Sequence, residues 1–195
     1  MNMKDFERII EKEYQDELNN PSDINEHVHD LLTLALDCTH VTEFGSRFGS
    51  STKAFLKAPV TLRAYDLEIH NPLMNLFKMA RKVGKDVEYE KGNTLSILIE
   101  PTDMIFIDTW HSQKQLRDEL KLHGNAARKY LAFHDTHTYG VRDEQADWAK
   151  NPDRKAMAGQ GLLPAIIDFV IANPHWKFRT HKTNNNGLTV LERRG

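Results

Sequence analysis

Two short runs in this 195-residue chain pair carboxylates with imidazoles: Ile107-Asp108-Thr109-Trp110-His111-Ser112 and His134-Asp135-Thr136-His137. Each begins where a short apolar stretch ends, the place where a buried strand hands over to a loop. Brought together, Asp108, His134 and Asp135 offer two carboxylates and an imidazole to a divalent cation. His111, one short turn past Asp108, can take a proton from a hydroxyl, because an unperturbed imidazole titrates at about 6.5. The same residues have a bland use, since an aspartate at a strand end often caps the next helix.

A third run is Glu43-Phe44-Gly45-Ser46-Arg47-Phe48-Gly49-Ser50-Ser51-Thr52. Its glycines allow a sharp turn and close backbone approach, and the following helix start offers unpaired N–H groups. Arg47 stands where a dinucleotide-binding Gly-x-Gly-x-x-Gly loop has its second glycine, and the run is not a Gly-x-x-x-x-Gly-Lys-Ser/Thr phosphate loop either. Glu43 opposes an incoming pyrophosphate and suits a cationic ligand group. Asp66, ending the next strand run, can accept from both hydroxyls of a ribose. A ligand with a base, a ribose and a cationic amino acid meets all of these features, and S-adenosylmethionine is such a ligand.

The elements that must position these residues alternate. Strands are expected over His40–Phe44, Val60–Leu67, Asp86–Glu90, Met104–Ile107 and Lys129–Phe133. Helices are expected over Ser50–Lys57, from Asn71-Pro72 to Gly84, over Gln115–His123 and over Gly161–Ala172. Trp176–Thr183 and Leu188–Glu192 flank Asn184-Asn185-Asn186-Gly187, which predicts an antiparallel hairpin. Five β-α steps closed by a hairpin make a doubly wound α/β sheet with helices on both faces, and ligands bind such sheets beyond the carboxyl ends of the strands. Ahead of this core, Phe6, Ile9, Ile10 and Tyr14 form one helical face. Asn20-Pro21 reads as the cap and first turn of a second helix carrying Ile24, Val28, Leu31, Leu32 and Ala35. These helices, Met1 to Leu36, either cover the sheet or pair with a second subunit as a homo-oligomer. Thr136 to Gln160 exceeds the usual connection of about 4–6 residues and reads as an active-site loop. Arg142, Asp143, Glu144 and Asp147 within it read as a solvated charge cluster, and Glu26-His27-Val28-His29 as two surface histidines. The whole chain, 1–195, reads as one domain.

Net charge is −2, which argues against a nucleic-acid partner. The single cysteine, Cys38, excludes an intrachain disulfide and reads as a buried thiol. No window is apolar enough for a membrane span, so the default is a soluble cytoplasmic protein acting on a small-molecule substrate.

From Asp37 to Arg193, the order of elements, the terminal hairpin and Glu43-x-Gly45-x-x-x-Gly49-x-Ser51-Thr52 resemble a class I S-adenosylmethionine-dependent methyltransferase. The resemblance implies a seven-stranded Rossmann-like sheet, with the cofactor meeting Glu43, Gly45, Ser46, Gly49, Ser51, Asp66 and Asp108. Asn93 falls where the family meets the adenine, a place more often held by Asp. Asp108-x-x-His111 and the His134-Asp135 pair are similar to a narrower group, the metal-assisted sugar O-methyltransferases and cephalosporin-hydroxylase-like proteins. That group implies Asp108 and Asp135 as ligands of Mg²⁺ and His111 as base, and an imidazole ligand would admit Mn²⁺ instead. His134 stands where the group has Glu. Either His134 is not a ligand, or the metal is not magnesium, or the site is empty. The implied activity is O-methylation of a small hydroxylated molecule. A degenerate S-adenosylmethionine-binding protein, an NAD(P)-dependent oxidoreductase and a metal hydrolase are the alternatives.

Overall fold

The computed structural model describes residues 1–144 and 159–194. Asp147, and with it most of the expected active-site loop, lies outside the described residues. Seven strands form one sheet: β1 (His40–Phe44), β2 (Thr61–Asp66), β3 (Val87–Lys91), β4 (Thr102–Ile107), β5 (Ala127–His134), β6 (Trp176–Lys182) and β7 (Leu188–Arg193). Their order is β3-β2-β1-β4-β5-β7-β6, with β1 to β5 parallel and β7 antiparallel to both β5 and β6.

The period of two along each strand divides the core. Met104 and Phe106 of β4, with Tyr130 and Ala132 of β5, face α1 (Met3–Asn19), α2 (Val28–Leu36), α3 (Ser50–Lys57) and α4 (Asn71–Lys82). Ile105 and Ile107, with Leu131 and Phe133, face α5 (Gln113–His123) and α6 (Leu162–Ala172) on the other side. Every residue of β4 is buried, and its apolar run Met104–Ile107 suits a central strand covered twice. The expected rhythm fails once, because β3 connects to β4 through a loop without a helix. Cys38 is buried as expected, its thiol pushed up to about 12 by burial. No helix among the described residues is long and apolar enough to cross a membrane.

The second helix starts later than Asn20-Pro21 suggested. Asn20 closes α1, with its backbone and side-chain N–H groups both donating to the Asp16 carbonyl. Helix α2 begins at Val28. The stretch between them is a strap bound to the β6–β7 turn. Asn185 accepts from the Glu26 amide at 3.1 Å and donates to the Ser22 carbonyl at 2.7 Å. Asn186 donates to the Asp23 carbonyl, and His27 Nε2 lies 2.9 Å from the Asn184 carbonyl. His27 is therefore fully buried rather than a surface histidine, while His29 is exposed and meets the Tyr14 hydroxyl.

Candidate active site

The β1–α3 loop is built around a buried carboxylate. Glu43 is inaccessible to solvent and accepts the hydroxyls of Ser51 at 2.5 Å, Thr52 at 2.7 Å and Ser46 at 3.2 Å. Burial raises its pKa to about 7, with the three hydroxyls pulling partly the other way. Glu43, Ser46 and Ser51 thus hold the loop together from inside. Sequence spacing placed these residues in one loop but carried no sign of which way the carboxylate faces.

Gly45 and Gly49 both have left-handed backbones, with φ of 84° and 89°. A Cβ on Gly45 would lie 2.0 Å from the Asp108 carbonyl oxygen, so the loop after β1 rests directly on the end of β4. Gly45→Ala therefore combines backbone strain with a clash that neither backbone can relieve. We expect it to cost at least about 3 kcal/mol, read as a lowered denaturation midpoint.

Asp66 ends β2 and accepts the backbone N–H groups of Arg47 at 2.7 Å and Glu68 at 3.1 Å. Each carboxylate oxygen keeps a second lone pair for a ligand hydroxyl. Asn93 is exposed after β3, beside Gly92, whose amide donates to the Asp66 carbonyl. Its side chain closes a local turn by accepting the Leu95 amide at 2.9 Å.

Asp108, His111, His134 and Asp135 come together at the ends of β4 and β5. His111 Nε2 lies 2.9 Å from Asp135 and 3.3 Å from Asp108. His134 Nδ1 lies 3.1 Å from Asp135 and 3.5 Å from Asp108. The far nitrogens also face acceptors: His111 Nδ1 lies 3.1 Å from Glu144, and His134 Nε2 lies 3.3 Å from the Asn185 carbonyl. Two rings with oxygen at both nitrogens are two imidazoliums. Burial opposes the charge, but the carboxylates outweigh it and lift His111 to about 12 and His134 to about 10. Asp135 also resists burial, and the two rings hold its carboxyl far below the usual carboxylate range. Its φ of 58° turns the chain sharply out of β5.

Two partners of this cluster, Tyr139 and Glu144, and two buried acids nearby, Asp143 and Glu119, were not evident from sequence. Tyr139 stacks on His111 with ring planes 5° apart and centroids at 4.8 Å. Glu144 engages His111, and Asp143 is buried, accepting the amides of Gln113, Gly159 and Gly161. Neither acid belongs to a solvated cluster. Glu119 of α5 is wholly buried and joins two crevice loops, accepting the hydroxyls of Thr94 at 2.6 Å and Thr109 at 3.0 Å.

One donor atom each from Asp108, His111 and Asp135 lies within 4.8 Å of the other two. Two carboxylate oxygens and one imidazole nitrogen fit Mn²⁺, Fe²⁺ or Zn²⁺ better than Mg²⁺, which favours an all-oxygen shell. His134 stands beside this group, held by the hairpin turn and bonded to both aspartates.

The sequence matches no family model and no curated protein. Solved structures do resemble the fold. An O-methyltransferase from Bacillus cereus in complex with S-adenosylhomocysteine aligns over 97% of this chain and 91% of its own, with 13% identity and a TM-score of 0.62. Magnesium protoporphyrin IX methyltransferase from Synechocystis, also with bound S-adenosylhomocysteine, covers 94% of each chain at 10% identity and a TM-score of 0.61. An N-methyltransferase from Bradyrhizobium japonicum covers 97% of this chain and 99% of its own, at 14% identity and a TM-score of 0.58. One of these is named for oxygen and another for nitrogen methylation, so what they share with this chain is architecture. The chain has the fold of the class I S-adenosylmethionine-dependent methyltransferases.

Proposed function

We propose that this protein transfers a methyl group from S-adenosylmethionine to a hydroxyl of a small molecule, with a divalent cation held by Asp108 and Asp135. The observation that carries this reading is the contact of Gly45 with the Asp108 carbonyl, which joins the glycine loop and the acid–imidazole cluster in one crevice. The S-adenosylhomocysteine named in structural neighbours supports the cofactor.

In the reaction, the acceptor oxygen attacks the methyl carbon in line with the sulfonium. A C–O bond forms, the C–S bond breaks, and S-adenosylhomocysteine leaves. The hydroxyl proton passes to His111 Nε2, which must first be neutral. Asp108, Asp135 and Glu144 keep it protonated in the bare cluster. A divalent cation would offset the two aspartates and lower the pKa of a hydroxyl bound to it. Tyr139 and Glu144 hold the ring in place, so that positioning contributes to the rate.

The test is transfer of a labelled methyl group to a panel of hydroxylated small molecules, with Mn²⁺, with Mg²⁺ and with chelator. Transfer that needs the cation is expected. Transfer indifferent to chelator would remove the metal from this reading, and transfer to amines alone would change the acceptor. Because the bare cluster already neutralises both aspartates, a binding protein without turnover is the second reading, marked by cofactor binding with no transfer. Asp66→Ala is expected to weaken S-adenosylhomocysteine binding roughly 10- to 100-fold by titration calorimetry, since two charge-assisted hydrogen bonds are lost.

A further inference from the structure

Glu43 already accepts three loop hydroxyls, and other charged groups stand nearby. A cavity of about 180 Å³ lies between the Gly45–Ser51 loop and the strap residues Ser22, Asp23 and Ile24. Arg47 and Asp23 both line it, and they face one another as an ion pair at 3.0 Å. Each is anchored by its backbone: the Arg47 amide donates to Asp66, and the Asp23 carbonyl accepts from Asn186. Both side chains are at least half exposed, so as a mere surface pair they would contribute little.

A cation and an anion side by side in the lining of this cavity complement a zwitterion. We propose that Arg47 and Asp23 receive the α-amino-acid end of the cofactor, the guanidinium pairing with its carboxylate and Asp23 accepting from its ammonium group. The inference rests on the methyltransferase reading. On binding, each side chain exchanges one ion pair for another, and the planar guanidinium fork suits a carboxylate better than an ammonium would. The strap thereby becomes a wall of the cofactor site, and Arg47 gains a use at the place where a dinucleotide loop requires glycine.

The test titrates the full chain with S-adenosylhomocysteine and with 5′-methylthioadenosine, which keeps the adenosine and thioether but lacks the amino acid. Asp23→Asn and Arg47→Gln are each expected to lose roughly tenfold or more in affinity for S-adenosylhomocysteine while binding 5′-methylthioadenosine as the unaltered protein does. Unchanged affinity for S-adenosylhomocysteine in both variants overturns the inference and leaves the methyltransferase reading standing. An equal loss for both ligands also overturns it, because the pair would then only hold the loop. If the unaltered protein binds neither ligand, the methyltransferase reading fails and takes the inference with it.

Discussion

Asp135→Asn is expected to slow methyl transfer by about 10²- to 10³-fold while leaving S-adenosylhomocysteine affinity within a few-fold. Asp135 is the shared corner of the cluster, bonded to His111 at 2.9 Å and His134 at 3.1 Å. The amide keeps the size of the side chain and tolerates the left-handed backbone at φ 58°, which alanine would strain. What it removes is one of two negative charges available to the cation and to the His111 and His134 rings, while the amide oxygen still accepts a hydrogen bond. Parallel labelled-methyl assays and calorimetric titrations separate the two effects. Turnover within about threefold of the unaltered protein, in chelator as without it, would take Asp135 out of the chemistry.

The second large effect is on stability against pH. Burial lifts both Glu43 and Glu119 to about 7 from an ordinary value of 4.5. A carboxyl that binds its proton more tightly when folded adds stability below the unfolded value and loses it as pH rises through the folded one. The window is therefore 4.5 to about 7. Each such group accounts for roughly 3 kcal/mol across it. His111 and His134, raised above 6.5, add a loss at higher pH still. Burial lowers His27 and His40, which work in the opposite sense below 6.5. The difference between the protein and its Glu43→Gln variant isolates one group. Urea unfolding in chelator at pH 5 and pH 8 is expected to show a smaller alkaline loss in the variant. Identical pH profiles would mean that Glu43 does not titrate in this window.

The parallel strands and the closing hairpin were legible because apolar runs of strand length stand between glycine, proline and asparagine punctuation. The strap was not. Asn20-Pro21 carries a local helix-start signal, and the long-range bonds from Asn184, Asn185 and Asn186 that tie this stretch to the hairpin leave no local pattern. The turn itself was read as a hairpin, yet three successive asparagines offer more donors and acceptors than a two-strand turn uses. That excess was the available signal for a hub. The cluster at Asp108, His111 and Asp135 was readable because strand ends four and five are neighbours in any sheet of this order. The contact of Glu144 with His111, which adds to the pull of Asp108 and Asp135, was not, since Glu144 comes from a loop with no periodicity. Glu43 and Glu119 show the general limit. A carboxylate in a loop or on an amphipathic helix looks polar and exposed in sequence, and only the packed structure shows the hydroxyls turned toward it.

The proposed function requires that the crevice bind S-adenosylmethionine beside a cation-responsive cluster. Calorimetric titration with S-adenosylmethionine and S-adenosylhomocysteine, with and without Mn²⁺ or Mg²⁺, tests it most directly. One ligand per chain with micromolar affinity, and a heat or affinity that changes with the cation, is expected. No binding of either nucleoside at millimolar concentration, under any metal condition, would contradict it.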